Sequence, residues 1–157
     1  AVPVHVHGKV QELTVTAFWK MLVGFRQRNP ILLPEKELSL MDSMACGYPD
    51  MSYHGQYAWR PETEGNYRHV GIMLCGKYAE HGEGCDGEFL YLAMNMHWDS
   101  HDLALPKLPK GMEWELAFST EREGNRKEDR EEEGDQLLRQ VPPRSIAMYV
   151  AKRERNV

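Results

Sequence analysis

Histidine and aspartate side chains follow an apolar run in the stretch FLYLAMNMHWDSHDLALPKLPKGMEWEL, residues 89–116. His97 and His101 are four residues apart, the spacing that places two imidazoles on one face of a zinc-binding helix. That motif also needs a Glu beside the first His, whereas Trp98 and Asp99 follow His97 here. We therefore expect no metal and assign four residues to a strand end and its turn: His97, Asp99, His101 and Asp102.

A second histidine pair, His5 and His7, would point to one side of a strand because strand side chains alternate between faces. No third ligand follows at a recognisable spacing. A metal-dependent enzyme that uses His5, His7, His97 and His101 is therefore the weakest of the functions considered, and we predict no cofactor.

Carboxyl groups could act as an acid and a base if two of them were held in a cleft, with one desolvated so that its pKa rises. Four candidates lie beside turns: Asp42, Asp50, Asp99 and Asp102. Asp commonly caps backbone N–H groups at such positions. The sequence also lacks the P-loop motif GxxxxGK[ST], the GxSxG elbow and the HExxH motif. We predict no catalytic residue in this chain.

Aromatic rings offer a contact surface for a ligand. Four residues cluster in a region rich in turn residues: Tyr53, His54, Tyr57 and Trp59. These are weak candidates for carbohydrate binding, since flat exposed rings are what sugar-binding surfaces use. Local or interdomain packing is the preferred interpretation, because Tyr and Trp are also enriched at interfaces.

Length and charge exclude several classes of protein. The 157 residues fit one domain of ordinary size, and the formal net charge of −5 argues against a nucleic-acid partner, which usually meets a basic face. No stretch approaches the ~20 apolar residues of a membrane span. Three cysteines without CxxC spacing indicate a reducing compartment, and we expect a soluble cytoplasmic protein. The absence of an initiator Met indicates either a processed product or a piece of a longer chain.

The hydrophobic period changes along the chain. Apolar residues at steps of three and four predict one amphipathic helix over 12–28, ended by Asn29-Pro30. Alternation with period two predicts strands at 70–75, 112–119 and 145–151. Their apolar faces are predicted to be Val70, Ile72 and Leu74 in the first, Met112, Trp114, Leu116 and Phe118 in the second, and Ile146, Met148 and Val150 in the third. An apolar run predicts a central strand at 89–98. Turn clusters separate them. The predicted fold is mainly β, an antiparallel β-sandwich with one N-terminal amphipathic helix.

Two segments complete the predicted organisation. Residues 1–33 form an N-terminal segment with the helix, and residues 34–157 form the β-sandwich domain. Within it, residues 121–136 are charged almost throughout with both signs, which predicts a solvated loop or frayed hairpin.

Four stretches occur in the order seen at the C-terminal end of bacterial isoamylase and glycogen-debranching enzymes: FWKMLVGFRQRNPILLPEKEL, DMSYHGQYAW, YLAMNMHWDSHDLALPKLPKGMEWEL and PPRSIAMYVAK. The chain resembles these α-amylase-type glycoside hydrolases over residues 18–152. The matching positions are Phe25, Arg26, Asn29, Pro30, Leu32, Tyr53, His54, Gly55, Asn95, His97, Trp98, Leu103, Leu105, Pro106, Trp114, Arg144 and Ser145. Residues 1–14 have no counterpart, and the charged stretch after Thr120, which is usually shorter in this family, resembles a loop insertion.

The resemblance implies a parent enzyme that hydrolyses α-1,6-glucosidic bonds of glycogen or starch by a retaining, two-carboxylate mechanism. In that family the catalytic carboxylates lie on the strands of a (β/α)8 barrel, which needs about 250 residues. The present chain is too short to contain it. By this resemblance the helix is the last helix of the barrel, and the chain is a non-catalytic C-terminal accessory domain whose partner is the barrel of the same parent chain.

Two consequences follow from that interpretation. An apolar patch from Phe18, Trp19 and Leu22 should be bare when the barrel is absent. The alternative is an independent module that binds α-glucan through Tyr53, His54, Tyr57 or Trp59.

Overall fold

The computed structural model describes residues 1–6, 9–65, 67–79, 89–121, 130–132 and 136–153, with backbone alone for 130–132. Its helix and strands in chain order are β1 (Val2–Val6), β2 (Lys9–Leu13), α1 (Val15–Arg28), β3 (Met51–His54), β4 (His69–Cys75), β5 (Phe89–Asn95), β6 (His101–Leu105), β7 (Met112–Ser119), β8 (Arg130–Glu132), β9 (Gln136–Val141) and β10 (Ser145–Arg153). Short 3₁₀ turns follow α1 at Pro30–Leu32 and β4 at Gly76–Tyr78.

Two antiparallel sheets form the body of the molecule. The large sheet has seven strands in the order β2-β1-β7-β10-β5-β4-β3, and the small sheet has three in the order β6-β9-β8. A buried cluster joins one face of the large sheet to the small one; its largest members are Met73, Phe89, Tyr91, Tyr149, Leu103, Leu105 and Val141. The predicted fold class, a mainly β antiparallel sandwich with one helix near the N-terminus, is confirmed.

The helix α1 covers part of the opposite face of the large sheet. Phe25 packs edge-on against Phe118 with ring centroids 5.3 Å apart, within a second buried cluster that includes Leu90 and Val150. Strand β5 is therefore covered on both faces, with Tyr91 toward the small sheet and Leu90 toward the helix. This explains its continuous apolar sequence.

The N-terminus forms a hairpin that the sequence did not predict. Strands β1 and β2 pair with each other, and β1 joins β7 through His5 and Ser119. The helix predicted over 12–28 begins three residues later because the chain is still in β2, and the Thr14 hydroxyl then accepts a hydrogen bond of 3.1 Å from Ala17 N–H as the N-cap. It ends at Arg28 as predicted. The proposed division between residues 33 and 34 stays a prediction.

The strand predicted at 89–98 ends three residues early, at Asn95. The faces predicted for β7 are also partly wrong. Met148 pairs with Phe118 while Tyr149 pairs with Leu116, so Ala117 is an extra residue on β7. Because such a bulge reverses the alternation of side chains, Phe118 faces the helix. The other three residues of the predicted apolar face, Met112, Trp114 and Leu116, pack on the other side of the large sheet, toward the small sheet.

The remaining predicted elements divide between the described residues and the rest. In β4, Gly71, Met73 and Cys75 are buried. The predicted apolar face, Val70, Ile72 and Leu74, is only half-buried. Most of the charged segment at 121–136 lies outside the described residues, apart from the short strand β8. No helix in the described part of the chain has the length and apolar character needed to cross a membrane.

Candidate functional site

The four aromatic and histidine candidates do not share one surface. Tyr53 and His54 are consecutive in β3, so their side chains point to opposite faces of the large sheet. Tyr53 is exposed and pairs with Ile72. His54 is fully buried and has no surface to offer a sugar. Tyr57 and Trp59 follow in the next loop.

His54 is a structural anchor for the loop that follows it. Trp59 N–H donates to its Nδ1 at 2.8 Å, and its Nε2 lies 2.8 Å from the Ser52 hydroxyl. A ring that accepts at Nδ1 and is satisfied at Nε2 is neutral. Burial lowers the pKa of His54 to about 4, because the charged imidazolium would lose its hydration.

Trp59 is held in place by its backbone and by two neighbouring rings. Its φ of 67° lies in the left-handed region, which is unusual for a bulky residue. The indole contacts His54 edge-on with centroids 4.8 Å apart and lies 6.3 Å from Tyr48, while 46% of the residue remains exposed. Tyr48 and Trp59 form the aromatic patch, and the exposed Tyr57 lies two residues before Trp59 in the same loop.

A cluster of histidines lies where the two sheets meet at one end of the sandwich. The rings of His69 in β4 and His101 in β6 stack with centroids 4.1 Å apart, and His97 meets His101 edge-on at 4.8 Å. Glu62 Oε2 lies 3.6 Å from His69 Nε2. Sequence reasoning identified His97 and His101 but missed His69 and Glu62.

Stacked imidazoles of this kind do not direct their nitrogens to a common point. Among the described residues, no group of three or more His, Cys, Asp or Glu side chains is arranged to hold a metal ion. His5 lies in β1, in the ladder with β7, and His7 is outside the described residues. A metal-dependent enzyme is therefore not proposed.

The pKa of His69 is lowered in the folded chain, so this ring resists protonation. Burial is the first cause that lowers the pKa of His69, and the neighbouring His101 and His97 add to it, while Glu62 acts in the opposite direction. Two imidazolium rings at stacking distance would repel each other. Burial and the neighbouring rings therefore favour the neutral form of His69.

Asn95 organises the turn that carries His97 and Asp99. Its buried Nδ2 donates to the carbonyls of Asp99, Val141 and Pro142 at 2.8–3.1 Å, and its Oδ1 accepts from His97 N–H. His97 and Asp99 are turn residues as predicted, whereas His101 and Asp102 begin β6. One amide thus ties the end of β5 to the end of β9.

Carboxylates at the predicted turns act as caps. Asp50 accepts hydrogen bonds from the N–H groups of Ser39, Leu40 and Met51 at 2.6–2.8 Å, and these outweigh burial, so that the pKa of Asp50 is lowered. Asp42 accepts from Cys46 and Gly47 N–H and from a tyrosine hydroxyl, which lowers its pKa as well. Both carboxylates are committed to holding loop backbone.

The helix α1 has apolar side chains on two sides. Phe18 and Leu22 were predicted to be bare, but both are half-buried against the large sheet. Trp19 is 62% exposed. With Val15 and Val23, both exposed and four residues away on either side, it forms a stripe on the outer surface. We call Val15, Trp19 and Val23 the outer helix stripe.

Neither a protein-family model, nor a curated protein sequence, nor a solved structure matches this chain. The geometry of the aromatic patch, the histidine cluster and the outer helix stripe therefore carries the functional interpretation, together with the motif order quoted above.

Proposed function

We propose that this chain is the C-terminal accessory domain of a cytoplasmic glycogen- or starch-debranching enzyme of the isoamylase type. Its role is to cover and stabilise the catalytic (β/α)8 barrel of the same parent chain. The parent hydrolyses α-1,6-glucosidic bonds, and this domain supplies none of the reacting groups.

The outer helix stripe is the observation that carries this proposal. A helix at the surface of a free-standing domain is apolar on the face toward the core and polar on the other. Here Phe25 faces the sheet, while Trp19 and its neighbours Val15 and Val23 face outward. A helix with apolar residues on both sides is suited to lie between two bodies, as the last helix of a barrel would.

Part of the large sheet beside the helix supports the same proposal. Four apolar residues on that face are half-buried and lie outside the cluster beneath the helix: Val70, Ile72, Met94 and Ile146. Tyr53, which pairs with Ile72, extends this surface to the sheet edge. Larger apolar areas of this kind mark sites where proteins associate.

The chain as given offers a direct test. It should bind a hydrophobic dye, and Trp19→Ser should reduce that binding by more than half because it removes the one aromatic side chain of the stripe. Trp98→Ser is the matched control, since Trp98 is equally exposed, at 60%, but lies in the turn after β5. Equal effects of both substitutions, or no dye binding at all, would contradict the proposal.

Activity and gene context supply two further checks. The purified chain should release no reducing ends from amylopectin, and measurable debranching by it would overturn the accessory role. Reading the gene upstream of the Ala1 codon should reveal a barrel with the nucleophilic Asp and the general-acid Glu of this family.

A second candidate is an independent α-glucan-binding module, favoured by the exposure of Trp59 and Tyr57. Maltoheptaose that covers the Trp59 ring should change the indole fluorescence, and Trp59→Ala should abolish the change while Trp98→Ala keeps it. No change at millimolar sugar removes this candidate.

A further inference from the structure

Two cysteine thiols lie together at the end of β4. Cys75 is fully buried in the cluster between the sheets, and Cys46 is half-buried and packs against the same cluster. Both are free thiols. The Cys46 thiol donates to the Tyr48 carbonyl at 3.3 Å, in the loop whose Asp50 carbonyl accepts from Cys75 N–H.

The backbone holds the two segments against each other. Cys75 N–H donates to the Asp50 carbonyl at 3.0 Å, which continues the β3–β4 ladder toward Cys46. The Tyr78 hydroxyl, three residues beyond Cys75, lies 3.0 Å from Tyr48 O and accepts from Cys46 Sγ at 3.8 Å. The loop with Cys46 is therefore fastened to the turn that follows Cys75.

The two thiols differ in access to solvent. Cys75 has no exposed surface, and burial, reinforced by the Cys46 thiol, raises its pKa to about 12. A thiol in this state is unreactive toward reagents in solution, because the thiolate is the nucleophile. Cys46 has exposed surface and can meet a small oxidant first.

We propose that Cys46 and Cys75 form a reversible disulfide when the protein meets a peroxide, with Cys46 as the attacked thiol and Cys75 as the resolving thiol. The Cys46 thiolate attacks one peroxide oxygen and becomes a sulfenic acid as hydroxide leaves. The Cys75 sulfur then attacks the Cys46 sulfur, and its proton departs with the sulfenic oxygen as water. Two electrons pass from the thiols to one hydrogen peroxide, which yields two waters.

This modification would act on the loop that supports the aromatic patch. Tyr48 is two residues from Cys46 and packs 6.3 Å from the Trp59 ring. A covalent bond from Cys46 to β4 removes conformational freedom from the segment between them in the unfolded chain. The inference is independent of the identity of the parent enzyme.

Peptide mapping tests the pairing. Trypsin places the three cysteines on separate peptides, 37–68 with Cys46, 69–77 with Cys75 and 78–107 with Cys85. After treatment with equimolar hydrogen peroxide and alkylation of the remaining thiols, non-reducing mass spectrometry should show peptide 37–68 joined to 69–77. The mass of the joined species should be lower than the sum of the two reduced peptide masses by two hydrogen atoms. Dithiothreitol should separate the two peptides again.

Variants separate this pairing from the alternatives. Cys85→Ser should still form the bridge, with a melting temperature roughly 5 °C higher when oxidised than when reduced. Cys46→Ser should lose both the bridge and that shift while keeping its circular dichroism spectrum. A bridge to Cys85, a bridge between two molecules, or oxidation of Cys46 to sulfinic acid without a bridge would overturn the proposal.

Discussion

His54 is neutral because of its position, and this ties the stability of the fold to pH. Its ring accepts a hydrogen bond from Trp59 N–H and has no exposed surface. Burial lowers its pKa from 6.5 to about 4. In the unfolded chain the same imidazole is solvated and takes up a proton near its ordinary pKa.

We therefore predict that the free energy of unfolding falls on acidification. Between pH 6.5 and 4 the unfolded state binds a proton at His54 that the folded state does not, so the stability present above pH 6.5 is lost as the pH falls. The loss from pH 7.5 to pH 5 should be about 2 kcal/mol from this residue. Urea unfolding at both pH values measures it.

His54→Gln supplies the comparison, because glutamine does not titrate. The variant should lose about 2 kcal/mol less than the parent chain over the same pH interval. NMR titration gives a second readout, in which the His54 ring signal should not move above pH 5. A midpoint near 6.5 would contradict the assignment.

Gly71 is required by its closeness to a ring, not by its backbone angles. A Cβ at this position would overlap the hydroxyl and ring of Tyr91, whose hydroxyl donates to the Ala104 carbonyl of the small sheet at 2.9 Å. The glycine therefore leaves room for a hydrogen bond between the two sheets.

Gly71→Ala should destabilise the protein by about 1–3 kcal/mol, since overpacking forces the ring or the strand to move. The matched control is Gly24→Ala in the helix, where a new Cβ meets only the end of the flexible Arg28 side chain. That change should be neutral or stabilising by up to ~1 kcal/mol. Chemical unfolding of both variants decides the matter, and equal effects would contradict the steric explanation.

Among the helices and strands, the sequence predicted those features that depend on local hydrophobic periodicity. Strands β4, β7 and β10 and the end of α1 follow from spacing and from Asn29-Pro30. The bulge at Ala117 was beyond such reasoning, because it arises from pairing with β10. One inserted residue then sends Phe118 to the helix side while Trp114 stays toward Tyr91.

Candidate sites show the same limit. Asp42 and Asp50 were correctly placed as caps because turn residues are local signals. The contact of His69 with His101 joins two different sheets, and no local pattern around either residue predicts it. Contacts between distant segments are set by packing, which a periodic pattern does not specify.

The turn after β5 depends on Asn95. Asn95→Asp would replace an amide donor by a carboxylate that faces three carbonyl oxygens, so it should destabilise the protein by roughly 2–4 kcal/mol at pH 7. The loss of unfolding free energy is measured against the unmutated chain at the same pH. It should become smaller toward pH 4, because a protonated carboxyl can donate a hydrogen bond. Thermal melts across this range measure it.

The control for that prediction is Asn95→Ala. Alanine cannot donate at any pH, so its cost should stay constant while that of the aspartate variant changes. If the destabilisation of the two variants changed with pH in the same way, the hydrogen bonds donated by Asn95 would not be the cause of the effect.

The whole molecule is expected to unfold as one unit, because the large sheet takes part in both buried clusters. Phe25→Ala should therefore cost about 3–5 kcal/mol and lower a single transition, seen alike by circular dichroism and by tryptophan fluorescence. Val23→Ala, at an exposed position of the same helix, is the control with little effect. Loss of the helix alone, with the sheet intact, would instead support a boundary after residue 33.

The position of β10 in the large sheet has a consequence for synthesis. This strand, Ser145–Arg153, pairs with both β5 and β7, although it follows every other described strand in the chain. While the ribosome is still translating earlier codons, β5 and β7 have no partner between them and expose unpaired strand edges. Folding of the large sheet must therefore wait until Ser145–Arg153 has left the exit tunnel, and until then the edges of β5 and β7 are open to pairing with other chains.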